Sequence, residues 1–366
     1  FVKTECYETF KHARCINSLS DKFKVMTGPI FKCIEQELFS RPEFIKHIPL
    51  PDRPGYIEES ISPQGGYVVE TDHTAFEAHM TPEILRAVEF QLYAYMSRLV
   101  CGGAEFIKLV SRALAGMNKC NFRNLSVSVS GSRMSGDMCT SLGNGFTNLM
   151  IMQYVCRSSG SRCHGVVEGD DGLFVVYGPV PTKASFAKVG FEVKLAIRRS
   201  LGESNFCGMM YSAECSPREN VIDPCWLLCH VGWSHSPLIV GSDRLMRQLG
   251  LAKCLSLLYE VPGCPVAREF ALYGLRLFSH LEPRFEKSWK HRSVAPGDLL
   301  WDRIRKPIDL STRLLVEREF GMLVSDQLYI EDYFRTKNDD SAINDPVVLS
   351  YMSADWMYNW DMYCSW

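Results

Sequence analysis

The sequence has no apolar run near the roughly 20 residues that a membrane-spanning helix needs, so no such span is expected. It also has almost no net charge: 40 Lys and Arg stand against 42 Asp and Glu, a balance of −2. Any nucleic-acid role therefore rests on local basic surfaces and not on bulk charge. No internal repeat or low-complexity tract occurs, which sets repeat architectures aside. The paired C-x-x-C spacing of structural zinc sites is missing. The closest grouping is Cys215, Cys225, Cys229, His230 and His235, and zinc is not expected there. The 15 cysteines are scattered, so reduced thiols in an intracellular protein are expected and not a disulfide framework. No signal peptide is recognised, and Phe1 stands where Met would be, so the sequence is expected to be a piece of a longer polypeptide.

What is present is bulk: 366 residues, 46% hydrophobic, enough for a large core or several subdomains. Residues 1–50 mix apolar positions with Lys3, Lys11, Arg14, Lys22, Lys24 and Lys32. Gly28-Pro29 ends an extended part and a helix is expected over Ile30–Phe39, with a Pro- and Gly-rich loop over 48–66. Tyr67-Val68-Val69 leads a strand that ends near Asp72. Thr81, Pro82 and Glu83 open a helix whose apolar face is Leu85, Val88, Leu92, Tyr95 and Leu99. Residues 125–130 alternate as a strand, Gly131–Gly136 is a small-residue loop, and Met138, Leu142, Phe146 and Leu149 repeat at helical spacing. A helix over Thr182–Val189 and a strand over Phe191–Ile197 follow. Ser242-Asp243 caps a helix carrying Leu245, Leu249 and Leu255, Pro262-Gly263 breaks it, and another covers 266–281. The end is acidic and aromatic, with Trp356, Trp360 and Trp366 among Asp355 and Asp361. The order is a mixed α/β core followed by a helical C-terminal subdomain.

Chemistry concentrates at Gly169-Asp170-Asp171, between the strand-like runs Gly165-Val166-Val167-Glu168 and Gly172-Leu173-Phe174-Val175-Val176-Tyr177. A glycine before two aspartates suits a tight hairpin turn, which sets two carboxylates at one tip. Adjacent carboxylates repel, and a divalent cation relieves that repulsion. Asp72 ends another strand about one hundred residues earlier. Taken alone it reads as a turn residue. Two strands that deliver aspartates to one place are what two-metal phosphoryl transfer needs.

These residues carry a resemblance. Asp72-His73-Thr74-Ala75-Phe76-Glu77 resembles motif A of viral RNA-dependent RNA polymerases, nearest the tombusvirus-like and flavivirus-like positive-strand groups. Ser135-Gly136-Asp137-Met138-Cys139-Thr140-Ser141-Leu142-Gly143-Asn144 resembles motif B, SGxxxTxxxN, and Gly169-Asp170-Asp171 resembles motif C. Lys3-Thr4-Glu5 with Ala13-Arg14-Cys15-Ile16 is similar to motif F, 186–194 to motif D, and Phe206-Cys207-Gly208 to motif E. The resemblance implies an α+β (mixed α/β) right-hand fold with fingers, a palm built on a ferredoxin-like antiparallel sheet, and a mainly helical thumb. It divides the chain into 1–66 fingers leading into the palm, 67–100 palm, 101–130 fingers, 131–212 palm with motifs B to E, and 213–366 thumb and C-terminal segment.

It also implies roles. Asp72, Asp170 and Asp171 would hold two ions, Mg²⁺ or Mn²⁺, with Asp170 the main ligand of the turn. Ser135, Gly136, Thr140 and Asn144 would face the incoming nucleotide, with Glu77 as the second acidic residue of motif A, where the family has aspartate. Arg14, Lys3 and Lys11 would clamp the triphosphate. Lys194 would protonate the departing pyrophosphate, with Lys188 as its rival. Implied partners are RNA template, nascent RNA, rNTPs and other viral replication proteins, in the host cytoplasm at membrane-associated replication sites. Alternative functions are reverse transcription and a catalytically inactive RNA-binding scaffold. Two features stand apart. Glu70 and Glu168 each precede a metal aspartate by two residues, either as an extra cation site or as partners of Lys or Arg. Arg284, Lys287, Lys290, Arg292, Arg303, Arg305 and Lys306, interleaved with Trp289 and Trp301, suggest either an RNA exit path or a solvated helix surface.

Overall fold

The computed structural model describes residues 2–3, 12, 14–61, 64–211, 218–231, 242–285, 294–354, 356–358 and 361. Lys11, Ala13, Cys215, His235, Lys287, Trp289, Lys290, Arg292, Asp355, Trp360 and Trp366 lie outside them. The chain forms two compact units, one of Phe1–Lys3, His12–Pro49 and Tyr56–Cys207, the other including Leu50–Gly55 and Gly208–Trp366.

In the first unit, α1 (Asp21–Phe39) starts where the Ser20 hydroxyl accepts from the Phe23 amide. Gly28-Pro29 does not break it, against the sequence expectation. Phe23, Thr27, Phe31 and Ile34 form one buried stripe at helical spacing. Burying three large apolar side chains contributes about 5–9 kcal/mol, against a cost of about 3 kcal/mol for an internal proline. The expected loop at 48–66 holds α2 (Arg53–Ser60), because Pro54 falls in the first turn, where no amide hydrogen is needed.

After β1 (Tyr67–His73), the single helix expected from Pro82 is two: α3 (Pro82–Ala87) and α4 (Glu89–Ser97). Val88, at φ −118° and ψ −74°, breaks the helical phase between them. The buried face shifts from Leu85 to Phe90, Leu92 and Tyr93, and leaves Tyr95 and Leu99 exposed. α5 (Gly103–Leu114) buries Phe106, Val110 and Leu114 and leads into the ribbon β2 (Met117–Asn121) and β3 (Ser126–Ser130). α6 (Thr140–Ser158) is buried nearly all round. Then come β4 (Arg162–Glu168), β5 (Asp171–Tyr177), α7 (Lys183–Ala187), β6 (Val193–Arg198) and the short β7 (Asn205–Phe206).

The central sheet has the order β4-β5-β1-β6, with every neighbour antiparallel. Read along the chain, β1-α6-β4-β5-α7-β6 is the ferredoxin-like split βαβ arrangement. Val69, Val167, Phe174 and Val176 tie the sheet to Leu142, Leu149 and Met152 of α6 and to Phe31 and Ile34 of α1 in one core. In β1 the residues alternate: Val69, Thr71 and His73 are buried, while Asp72 is exposed.

In the second unit, β8 (Met209–Tyr211) pairs with β9 (Asn220–Val221). Seven helices follow among the described residues: α8 (Pro224–His230), α9 (Asp243–Glu260), α10 (Ala267–Phe278), α11 (Trp301–Ile304), α12 (Leu310–Phe320), α13 (Val324–Thr336) and α14 (Pro346–Ser350). Ser242 caps α9 as expected. Leu251, Leu255, Ala271, Val316, Ile330 and Phe334 share a core, and Arg313 grips Glu331 through two 2.9 Å hydrogen bonds. Arg303 of the basic cluster is an internal tie: it donates to the Pro51 and Arg218 carbonyls and to Glu219, at 2.9–3.1 Å.

Candidate active site

The β4–β5 hairpin closes on the pair Glu168↔Asp171, leaving Gly169-Asp170 as a two-residue turn. Gly169 has φ +62° and Asp170 does not have positive φ, the sign pattern of a type II′ turn, which needs glycine at its first central position. The turn projects Asp170, with Asp171 at the start of β5. On the neighbouring strand, Thr71 pairs with Gly172, so Asp72 lies one step past the last paired residue.

The carboxylates affect one another. Burial raises the Asp170 pKa, and the charges of Glu77 and Asp72 raise it further, against a backbone hydrogen bond and Arg14. Asp171 is pushed up to about 6, first by burial and then by Asp170, with Asp72 and Glu168 adding and the Cys207 thiol opposing. The sequence-expected residues Asp72, Glu77, Asp170, Asp171 and Arg14 thus share one electrostatic neighbourhood. Lys194 stands directly across from Asp72 in the β1–β6 pair, and its Nζ lies 3.0 Å from Asp72 Oδ2. Both side chains are largely exposed, so this pair adds little to stability.

The motif B segment wraps the same place. Asn144, in the second turn of α6, is buried and donates to Glu77 Oε1 over 3.4 Å, while its Oδ1 has no partner. Thr140 turns its hydroxyl to the Asp137 carbonyl at 2.7 Å, so it braces the loop. Gly136 has φ +117°, and a Cβ there would meet Ile16 and the Asn17 carbonyl at about 3 Å. The Asn17 amide donates to the Ser135 carbonyl, which fastens the motif F-like segment onto this loop. Lys3 is joined to Arg14 by backbone, amide to carbonyl, at 2.8 Å.

Of the two unexpected glutamates, Glu70 pairs with arginine. Arg198 binds it through two hydrogen bonds of 2.9 and 3.0 Å, and the Asn205 amide adds a third at 2.7 Å. Glu168 receives the Cys207 thiol at 3.8 Å, from a turn where Cys207 itself has φ +54°.

Sequence reasoning missed several residues here. Asn148, four positions beyond Asn144, donates to the carbonyls of Gly169 and Asp170. His73, beside Asp72, meets Asn148, and burial lowers its pKa to about 4. Arg133 and Glu89 form a wholly buried ion pair under the motif B loop. Helical spacing was the available signal for Asn148.

Among the described residues no three His, Cys, Asp or Glu side chains converge tightly enough to enclose an ion. The donor set nevertheless fits Mg²⁺, which favours oxygen and takes one or two carboxylates with water and substrate phosphate. Burial first, and the neighbouring carboxylates second, raise the Asp170 and Asp171 pKa values, and a divalent cation would favour their charged forms.

A family model described as viral RNA dependent RNA polymerase matches residues 12–196, just over half of the 366 residues. The chain belongs to the viral RNA-dependent RNA polymerase family. The matched stretch of this polymerase-family chain includes Asp72, Glu77, Ser135, Asn144, Asp170 and Asp171. The crystal structure of the RNA-dependent RNA polymerase of a human picorbirnavirus is similar in fold, with a TM-score of 0.57 at 10% identity, over 73% of this chain and 54% of that one. An insertion-loop deletion mutant of a human picorbirnavirus polymerase gives 0.54 at 11%, over 72% and 54%. The chain therefore spans about half the length of these structures. Both come from a picorbirnavirus, not from the tombusvirus-like or flavivirus-like groups whose motifs the sequence resembles. No curated protein matches the chain.

Proposed function

We propose that this chain is the catalytic core of an RNA-directed RNA polymerase that replicates a positive-strand viral genome, moving nucleotides from rNTPs to an RNA 3′-hydroxyl on an RNA template. In this reading the four-stranded sheet is the palm, 1–66 and 101–130 supply fingers, and 213–366 is the thumb. One observation carries it: Asp72, Asp170 and Asp171 lie within reach of one another's charge, with the Asn144–Glu77 pair beside them.

Asp72, Asp170 and Asp171 would hold two divalent cations, Mg²⁺ or Mn²⁺, which supply activation of the 3′-hydroxyl and neutralisation of the leaving phosphate oxygens. The chain's own groups do the rest. Arg14 offers a planar guanidinium to phosphate oxygens, and Lys3 adds charge beside it. Asn144 Oδ1 is a buried acceptor with no donor, and Glu77 brings a carboxylate to the same amide. A ribose 2′-hydroxyl supplies the missing donor; a deoxyribose leaves it missing, which favours rNTPs. Lys194 sits at the Asp72 edge and would serve the departing pyrophosphate as a proton donor.

The test is template-dependent incorporation of rNTPs by the purified full-length protein, with and without primer. Activity on an RNA template with rNTPs and not dNTPs is expected, and its loss in Asp170→Ala. Activity that survives Asp170→Ala would contradict the mechanism, and tight RNA binding with no wild-type activity would indicate a scaffold.

A further inference from the structure

The tip of the β4–β5 hairpin touches α6 along one face of that helix. Gly145 and Asn148 lie at positions i and i+3 of this face. Gly145 lies against the turn: a Cβ there would sit 3.6 Å from the Gly169 nitrogen, at ordinary contact distance. Asn148 is fully buried, and its Nδ2 donates to the carbonyls of both Gly169 and Asp170, at 3.3 and 3.0 Å. Of the two ends of this amide only the NH₂ can donate to carbonyls, which turns the Asn148 Oδ1 the other way. It faces His73 Nε2 at 3.3 Å, so that nitrogen carries the ring proton.

His73 is buried on β1, next to Asp72, and its ring stands among Phe76, Phe186 and Phe191, with centroids 4.9, 6.0 and 5.8 Å away. Its Nδ1 has no partner. A phenyl ring would fill such an aromatic surround without leaving a buried nitrogen unpaired. Packing alone therefore does not account for the histidine, and its N–H to Asn148 does.

We infer that Asn148, held by His73, is the positioning residue that sets the Asp170 turn against Asp72. One amide spans the two elements that deliver the carboxylates: it grips the carbonyls of the turn directly and reaches β1 through the residue beside Asp72. A change in this link moves Asp170 relative to Asp72 while Asn144, Glu77 and Arg14 keep their own contacts. The inference predicts loss of chemistry without loss of nucleotide binding; only this kinetic part rests on the polymerase reading.

The experiment uses the full-length protein with Asn148→Ala, His73→Phe and His73→Gln. Two readouts are taken: primer-extension kinetics, and amide hydrogen exchange of the 169–172 segment compared with the β5 interior. For Asn148→Ala, kcat should fall roughly 100-fold, as small misplacement of a reacting group does, with the rNTP KM within about twofold. Exchange at 169–172 should quicken at least about tenfold, with 173–176 unchanged, because opening is local. His73→Phe should keep or raise the melting temperature yet lower kcat roughly tenfold and quicken the same exchange, since a buried acceptor has lost its donor. His73→Gln, which retains an N–H, should stay within about threefold of wild type in both.

Unchanged turn exchange and kcat in a folded Asn148→Ala would overturn the inference. Should that variant not fold, His73→Phe decides: stability kept with exchange and kcat also kept means a packing role only. Should the wild type prove inactive, the polymerase reading fails by itself, and the exchange result still decides this one.

Discussion

The buried pair of Arg133 and Glu89 gives the sharpest stability prediction. Both side chains are wholly inaccessible. Glu89 also accepts from the Tyr93 hydroxyl at 2.9 Å and from Thr147 at 3.3 Å, and Arg133 reaches the Cys139 sulfur at 3.2 Å. Gly143 lies so close that a Cβ would come within 2.4 Å of Glu89 and 2.5 Å of Arg133. Arg133→Met leaves the Glu89 carboxylate with two hydroxyls and no cation, and breaking such a pair costs about 3–5 kcal/mol. For a unit of this size each kcal/mol moves the melting temperature by about 2–4 °C, so a fall of about 6–20 °C is expected. Glu89→Leu strands the guanidinium and should behave alike. The double variant Glu89→Leu with Arg133→Met removes both charges and strands only the two hydroxyls. It should lose only about 2 kcal/mol, well short of the two single losses added. Thermal unfolding of all four proteins in a double-mutant cycle measures this. Single variants that melt within about 3 °C of wild type, or a double variant that pays both losses in full, would refute the argument.

Asp137 is buried with one carboxylate oxygen unpartnered, and burial pushes its pKa up to about 6. The folded form therefore holds a proton that the unfolded chain has already released between pH 3.8 and about 6, so this group's contribution to stability falls as pH rises through that window. Asp137→Asn should then stabilise by up to about 3 kcal/mol at pH 7.5 and by less at pH 5, a gap that melting curves at the two pH values would show; an equal gap at both would refute it. Glu77→Ala and Asn144→Ala should each raise the dNTP-to-rNTP ratio of kcat/KM at least about tenfold in single-nucleotide incorporation, because each removes part of the polar set facing the sugar. Glu70→Gln should leave Mn²⁺ stoichiometry and affinity unchanged in direct titration, since Arg198 and the Asn205 amide already occupy that carboxylate.

Much of the central sheet was readable in the chain, because its signals are local. The Gly169-Asp170-Asp171 turn, the strand before Asp72 and the Ser242 cap each depend on a few adjacent residues. What escaped depends on distant partners. Gly28-Pro29 looks like a break until Phe23, Phe31 and Ile34 are seen to share a core. The helix from Pro82 changes phase at Val88, and no periodicity marks that change. At the site, Glu89 and Arg133 look like surface charges, and only their meeting across 44 residues makes them an interior pair. Glu70 was left between a cation site and an ion pair because Arg198 is remote in sequence but opposite in the sheet. Asn148 could have been flagged from its spacing to Asn144; its carbonyl partners could not.

The alternation along β1 has a consequence for how this gene can vary in length. Asp72 points outward and His73 inward, and the pleat alone makes that choice. Inserting or deleting a single codon within residues 67–72 would reverse it: an insertion would carry the carboxylate into the aromatic surround of Phe76, Phe186 and Phe191, and a deletion would bring the imidazole to the outward place at the edge. Paired codon changes preserve the parity, though they shift the register against Gly172 and Lys194. The strand is therefore expected to accept substitutions at many positions and to admit almost no change of length, so that viable indels in this stretch of genome collect outside it.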